Sequence, residues 1–279
     1  MDKLLAIPRR YLSRGSRRTS PVLVQEEAGI HVGISADLPQ AARHASRIFQ
    51  EKYQQWLERG RFAAWGRYKR QHFTVAVGGG NTIKAQYQAL IQQHHTDIDW
   101  LKHVRFFLLE ESSGEKGWES AENSLVINFI VPLAEKLLRE KGIIRLTDAL
   151  ELQAPVDEDD IIDKMVAMMV NPINLAEIKK ALDDGKKAAA RRLATQEAER
   201  YQRDIQNRLG GSMQFHCIIS GIGKNGTLGA FAPYTPELAI TEPGVAVLKQ
   251  ESGALRVALN RGVLVNAEFI SLIVAGHHK

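Results

Sequence analysis

One cysteine in 279 residues excludes a disulfide framework. That residue, Cys217, stands inside the apolar run FHCIIS and reads as an inert buried thiol. No run of 18 apolar residues occurs, so no transmembrane helix is expected. The histidine pairs His94-His95 and His277-His278 are adjacent rather than at ligand spacing, so neither a metal nor a cofactor is expected. The N-terminus is basic (Arg9, Arg10, Arg14, Arg17, Arg18) but lacks the apolar core of a secretory signal. Acidic residues number 32 against 37 lysines and arginines, and the net charge of +5 suits an anionic partner. No helix-turn-helix pattern follows the N-terminal arginines, so residues 1–29 read as a basic flexible segment and nucleic acid is set aside as the partner. A cytoplasmic protein with one large α/β core over residues 30–279 is the expectation, since 44% of the chain is hydrophobic.

What is present is a pair of glycine-bearing turns, each after a short apolar run that reads as a buried strand. In the first, FTVAV ends at Gly78-Gly79-Gly80, and Asn81 or Thr82 can cap the helix KAQYQALIQQH that follows. Backbone N–H groups at a helix start, backed by the positive end of the helix dipole, make an anion site. Gly79 and Gly80 let a phosphate approach the main chain, with Asn81 and Thr82 as side-chain donors. The same glycines also fit a tight connection with no ligand. The lysine pattern of a nucleotide P-loop is missing, because Lys84 comes too late and lacks its preceding glycine.

The second turn, IISGIGKNGTLGAFAP, matches G-x-G-x-x-G through Gly221, Gly223 and Gly226. A dinucleotide fingerprint must open a long helix. Pro233 and Pro236 forbid one here, since proline removes a helical hydrogen bond and clashes with the preceding turn. The dinucleotide reading therefore fails.

IHVGIS, FTVAV, VRFFLL, FHCIIS, LRVALN and FISLIVAG read as strands separated by helices, which implies parallel βαβ units. The predicted fold is α/β: an open, doubly wound, mostly parallel sheet with helices on both faces and a helical insertion at about 140–190. Within the insertion, KKAAARRLATQEAERYQRDIQNRL begins a strong helix former with opposite charges four apart, most simply a solvated face. Glu110 and Glu111 close the strand VRFFLLEE. Neighbouring strand residues face opposite sides, so one of the two belongs in a ligand crevice, although a solvated strand end fits both equally. His216 reads as a core residue first and a catalyst second.

The order VAVGGGNT, DWLKHVRFFLLEE, ENSLVINFIVPL, FHCIISGIGKNGTLGAFAP and LRVALNRGVLVNAEFISLIVAGHHK resembles the 6-phosphogluconolactonase and glucosamine-6-phosphate deaminase/isomerase superfamily over roughly residues 30–279. The resemblance implies a phosphorylated sugar as ligand. It implies phosphate or substrate contacts from Gly79, Gly80, Asn81, Thr82, Asn123, Gly223, Asn225, Gly226, Arg256 and Lys279, with Lys224 and Arg261 as weaker candidates. It also implies catalytic positions at Glu110, Glu111 and Thr227. Where the family continues past its final lysine into a helix, this sequence ends. The face so left open is expected to be covered by the insertion or by a partner chain, a homodimer included.

The departures bear on chemistry. Gly78 and Asn81 stand where the family has serines, Ser112 where the lactonases have arginine, and Asn225 where an aspartate is usual. Thr227 replaces the histidine that serves as general base, and Ala232 the deaminase glutamate. A hydroxyl without a tuned partner exchanges no proton near pH 7. The expected function is that of a sugar-phosphate protein of lactonase type with altered or reduced catalysis. The alternatives are a catalytically silent sugar-phosphate sensor and a deaminase/isomerase-like enzyme.

Overall fold

The computed structural model describes residues 22–27, 30–35, 37–62, 72–93, 98–114, 120–153, 155–223 and 226–274. At its centre is a five-stranded sheet of order β10-β7-β3-β4-β6, formed by β3 (Phe73–Val77), β4 (Val104–Leu108), β6 (Val170–Asn171), β7 (Cys217–Gly221) and β10 (Ile270–Ile273). Every pairing in it is parallel. All of β3 is buried, as an apolar run covered on both faces must be.

One face is covered by α1 (Leu38–Phe62) and α2 (Asn81–Gln93), which meet Ile273 through the small residues Ala42, Ala45 and Ala89. Helix α9 (Lys187–Arg208) is fastened to the end of β4 by the buried Tyr201, whose hydroxyl donates to Leu108 O at 2.9 Å. Burial pushes the Tyr201 phenol up, so it stays a neutral donor. Cys217 is buried and its thiol is likewise pushed up, which agrees with an inert role. The α/β fold with a mainly parallel sheet is as the sequence predicts.

Several segments depart from that expectation. LRVALN forms β9 (Leu255–Leu259) in a separate antiparallel sheet of order β5-β9-β8, with β5 (Glu110–Ser112) and β8 (Val245–Lys249). The physical cause is Leu109. Its N–H still donates to Val77 O at 2.8 Å in the parallel sheet, while its carbonyl accepts from Leu259 N at 2.9 Å, so the chain changes partner at one residue. IHVGIS contributes β2 (Ile30–Ile34), paired antiparallel with β1 (Val22–Glu27), so the N-terminal segment is extended strand over residues 22–27.

The helical stretch comprises α6 (Ile143–Ala149), α7 (Glu158–Met169) and α8 (Ala176–Asp183) and leads into α9. It is built into the body of the protein: Ile161, Met165 and Met169 join the main core, and β6 extends the sheet. At the other edge, Ile270 and Leu272 of β10 are exposed while Ser271 and Ile273 are buried. Among the described residues no helix is long and apolar enough to cross a membrane.

Candidate functional site

The turn Gly78–Gly80 stands at the carboxyl end of β3, where open α/β sheets bind ligands. Gly78 N–H donates to Ile219 O at 3.0 Å, locking the turn to β7. At Gly80 φ is +100°, a left-handed conformation that reverses the chain into α2 and favours glycine. Asn81, exposed, is the first residue of that helix, and Thr82, half-buried, is the second. The Thr82 Cβ sits 3.5 Å from where a Cβ on Gly221 would lie, so the end of β7 meets the start of α2.

A second helix start faces the same turn. A Cβ on Gly79 would stand 3.5 Å from Ala121 Cα, the first residue of α4 (Ala121–Leu125). This helix passes through a π turn (Val126–Ile130) into α5 (Val131–Lys141). Ser120 caps it, its Oγ accepting from Asn123 N at 3.2 Å. Glu111 completes the cap from the neighbouring strand: its Oε2 accepts from Ser120 Oγ at 2.9 Å and from Glu122 N at 3.1 Å. Glu111 is thus buried and occupied in holding a helix start beside the glycine turn. Asn123, half-buried, lies in the first turn of the same helix.

Glu110 and Glu111 face opposite sides of β5, as strand geometry demands. Glu110 shares its face with Ser112 and Arg256, which pair across β5 and β9. The Arg256 guanidinium forms an ion pair with Glu110. With the Gln250 amide oriented to suit both neighbours, its oxygen accepts from Arg256 Nη2 and Nε, and its nitrogen donates to Ser112 Oγ. The charge of Arg256 is therefore engaged on the side of β5 away from the α4 start. Burial pushes the Glu110 carboxyl above the usual carboxylate range, Arg256 opposes that, and Glu111 adds to it. Glu122, which the sequence reading missed, is also raised, by burial and then by the charge of Glu111.

The second turn folds on itself. Gly223 N–H donates to Thr227 O at 2.7 Å and Gly226 N–H to Gly223 O at 3.0 Å. Thr227 Oγ1 lies over Gly223, only 2.0 Å from where a Cβ there would stand, so glycine is required at that position by Thr227 itself. No long helix follows; the next helical turn is the short 3-10 segment Pro236–Ala239. Lys224, Asn225 and Lys279 lie outside the described residues. Arg261 is exposed at the start of α10 (Arg261–Asn266), its Nη1 donating to Leu238 O at 3.2 Å. His216 is a core residue: its Nδ1 accepts from Thr74 N at 3.1 Å, and its ring packs on Phe73.

The structure thus gathers Gly79, Gly80, Asn81, Thr82, Glu111 and Asn123 around two helix starts and leaves Arg256 behind β5. A cavity of about 560 Å³ lies elsewhere, between α9 and β8; Arg191, Thr195, Gln202 and Arg203 line it, and none of the turn residues does. Ser120 was not singled out in the sequence; a serine with an acid two residues on is the signal that marks it as a cap, but nothing in the local sequence ties Glu111 to it.

Residues 157–279 match the family model described as glucosamine-6-phosphate isomerases/6-phosphogluconolactonase. No curated protein matches the chain in sequence. Among solved structures the chain is similar to 6-phosphogluconolactonase from Trypanosoma cruzi, at 17% identity and a TM-score of 0.53 over 87% of this chain and 79% of that one. The enzyme from Trypanosoma brucei gives 17% and 0.53 over 86% and 80%. That from Leishmania guyanensis gives 18% and 0.52 over 87% and 80%. The resemblance to this superfamily holds in the sequence of the C-terminal part and in the fold of most of the chain.

Proposed function

We propose that this chain, which resembles the 6-phosphogluconolactonase and glucosamine-6-phosphate isomerase superfamily in fold and in C-terminal sequence, binds a phosphorylated sugar at the carboxyl edge of its parallel sheet. The observation that carries the reading is the approach of Gly79 to Ala121, which brings the starts of two helical runs to one glycine turn. Backbone N–H groups of both, with Asn81 and Thr82, present donors to a phosphate. Asn123 is proposed to hold the sugar, and Gly223, Asn225, Gly226 and Lys279 to close the site from the second turn and the chain end.

Lactone hydrolysis is the reaction class proposed, at a reduced rate. Thr227 cannot act as the base, and Glu122 and Glu111 are the nearest carboxyls to the helix start. Glu122 is the better candidate of the two, because Glu111 already accepts from Ser120 Oγ and Glu122 N. A catalytically silent sugar-phosphate sensor is the second reading, favoured by Thr227 Oγ1 lying over Gly223 and by Arg256 being paired with Glu110. A cytoplasmic location fits either. The homodimer expected as one cover for the open sheet face has no observation behind it and is not proposed.

The test is a thermal-shift panel of sugar phosphates against their unphosphorylated parents, followed by turnover assays on wild type and Thr227→His. Ligand binding to the folded state raises the melting temperature by mass action. A shift with 6-phosphogluconate or a hexosamine 6-phosphate, absent with the free sugar, supports the site. Lactonase activity confined to Thr227→His identifies the sensor reading, and no shift at millimolar concentration rejects a sugar-phosphate ligand.

A further inference from the structure

Strand β8 is the outer strand of the antiparallel sheet and, among the described residues, pairs with β9 alone. Antiparallel strands exchange hydrogen bonds at alternate residue pairs, and the residues between turn their backbone groups outward. Asn260 N donates to Gly244 O at 2.9 Å and Gln250 N to Ala254 O at 2.9 Å, so the even-numbered residues of β8 bond to β9. The odd-numbered ones, Val245, Val247 and Lys249, present N–H and C=O to the open side. The phase of β9 agrees, since its odd-numbered residues serve β5: Ser113 N donates to Leu255 O and Leu259 N to Leu109 O, both at 2.9 Å.

That open side is the groove between β8 and α9. Gln202 of α9 reaches across it, and its Oε1 accepts from Val245 N at 3.1 Å, which confirms where the odd-numbered amides point. Beyond that bond, Val245 O and both backbone groups of Val247 have no partner among the described residues. Val247 is half-buried, where unpaired backbone groups are costly. The cavity of about 560 Å³ lies in this groove, with Val245 and Val247 on one wall and Arg191, Thr195, Glu199 and Arg203 on the other.

Chemistry narrows the occupant. A phosphate chain offers acceptors only and would leave the carbonyls of Val245 and Val247 unpaired, whereas a peptide strand offers donor and acceptor together. Arg191 and Arg203 are exposed, and neither forms an ion pair among the described residues. They stand about 18 Å apart along α9, close to the span of about 17 Å of β8 itself. Lys249 is exposed at the end of the strand, and Glu199 is the acid among the lining residues. Glu242 and Glu251, beyond either end of β8, are exposed and do not line the groove. A second copy of this chain would bring like cations together, and an edge lysine opposes such self-pairing.

We propose that the outer edge of β8 takes up an extended, acidic peptide segment of a partner protein as a fourth strand of the sheet β5-β9-β8. Val247 supplies the main-chain bonds that give affinity, and Arg191 and Arg203 select acids toward the two ends of the segment. Gln202 limits the register, because its amide already holds Val245 N. None of the glycine-turn residues lines this groove, so the strand site is independent of the sugar-phosphate reading.

The test is amide hydrogen exchange at Val247 in the full chain, alone and with the end-blocked peptide Asp-Thr-Val-Thr-Val-Thr-Asp, together with fluorescence anisotropy of the same peptide carrying a dye. The expected result is rapid exchange in the free chain, slowed about tenfold or more at saturation. Binding is expected to weaken about tenfold when lysines replace the peptide's aspartates, and likewise in the double variant Arg191→Gln, Arg203→Gln. Both arginines are exposed, so that variant keeps the fold. N-methylation of the peptide's amides is expected to abolish binding, a change that a purely electrostatic contact would survive. A Val247 amide already slow in the free chain means that the chain covers its own edge, and it overturns the proposal. Binding indifferent to N-methylation, or no binding at millimolar peptide, overturns it equally.

Discussion

Glu111 Oε2 accepts from the backbone N of Glu122 at 3.1 Å, so one carboxylate holds the helix start that presents the other. The two acids are thereby fixed close together beside the glycine turn, with Ser120 Oγ as a second donor to the same oxygen. The arrangement is at once a cap and a like-charge pair.

Removing Glu111 leaves Ser120 Oγ and Glu122 N without their acceptor. Glu111→Ala is expected to cost about 1–2 kcal/mol, the range for a lost cap with part-buried donors left unpaired. A urea unfolding midpoint lowered at unchanged slope is the predicted reading. A midpoint within error of wild type means that this cap contributes nothing to stability.

Gly79 separates fold from ligand. A Cβ there meets Ala121 Cα at 3.5 Å, ordinary contact, so Gly79→Ala is expected to melt within about 2 °C of wild type. The methyl group occupies space that an approaching phosphate needs, and affinity for a sugar phosphate is expected to fall by about tenfold or more. Isothermal titration checks this, and equal affinity in the variant removes the turn from the binding site.

For Glu122 the sign runs toward acid. Its folded carboxyl is raised from 4.5 by burial and by Glu111, so the folded state holds its proton more tightly than the unfolded chain. Stability is therefore gained as pH falls through the raised value and levels off below about 4.5. Glu122→Gln is expected to flatten that slope and to change stability at pH 7 by less than about 1 kcal/mol, because a favourable helix-start charge is lost along with the repulsion. Chemical denaturation of both proteins between pH 4.5 and 7.5 gives the comparison, and parallel pH curves would falsify the assignment.

The parallel sheet was legible because FTVAV, VRFFL and CIIS are short, mostly apolar and β-branched or aromatic runs ended by turn residues, and nearly every residue in them is buried. The second sheet was not, because β9 has the same apolar pattern as a parallel strand and only the change of partner at Leu109 decides its place. At the site, the glycine turn could be found from local chemistry, whereas Asn123 came only from the family resemblance. The capture of Arg256 by Glu110, 146 residues away in sequence, could not. Nor could the pairing of Glu111 with Ser120, since nothing within either segment marks a partner across the intervening loop.

His72 supplies the last prediction. Its imidazole is lowered from 6.5 to about 4, first by burial and then by Arg105, Arg208 and His103. A folded value below the unfolded one means that the unfolded chain takes the proton first. The stability contributed by neutral His72 is complete above about 6.5 and is lost as pH falls toward 4. The ring is half-buried, so solvent screening reduces the full linkage energy to on the order of 1 kcal/mol. His72→Gln is expected to be the more acid-tolerant protein, with its urea midpoint falling less steeply between pH 6.5 and 4. If the variant and wild type lose stability in parallel, these cations do not act on His72 as the fold arranges them.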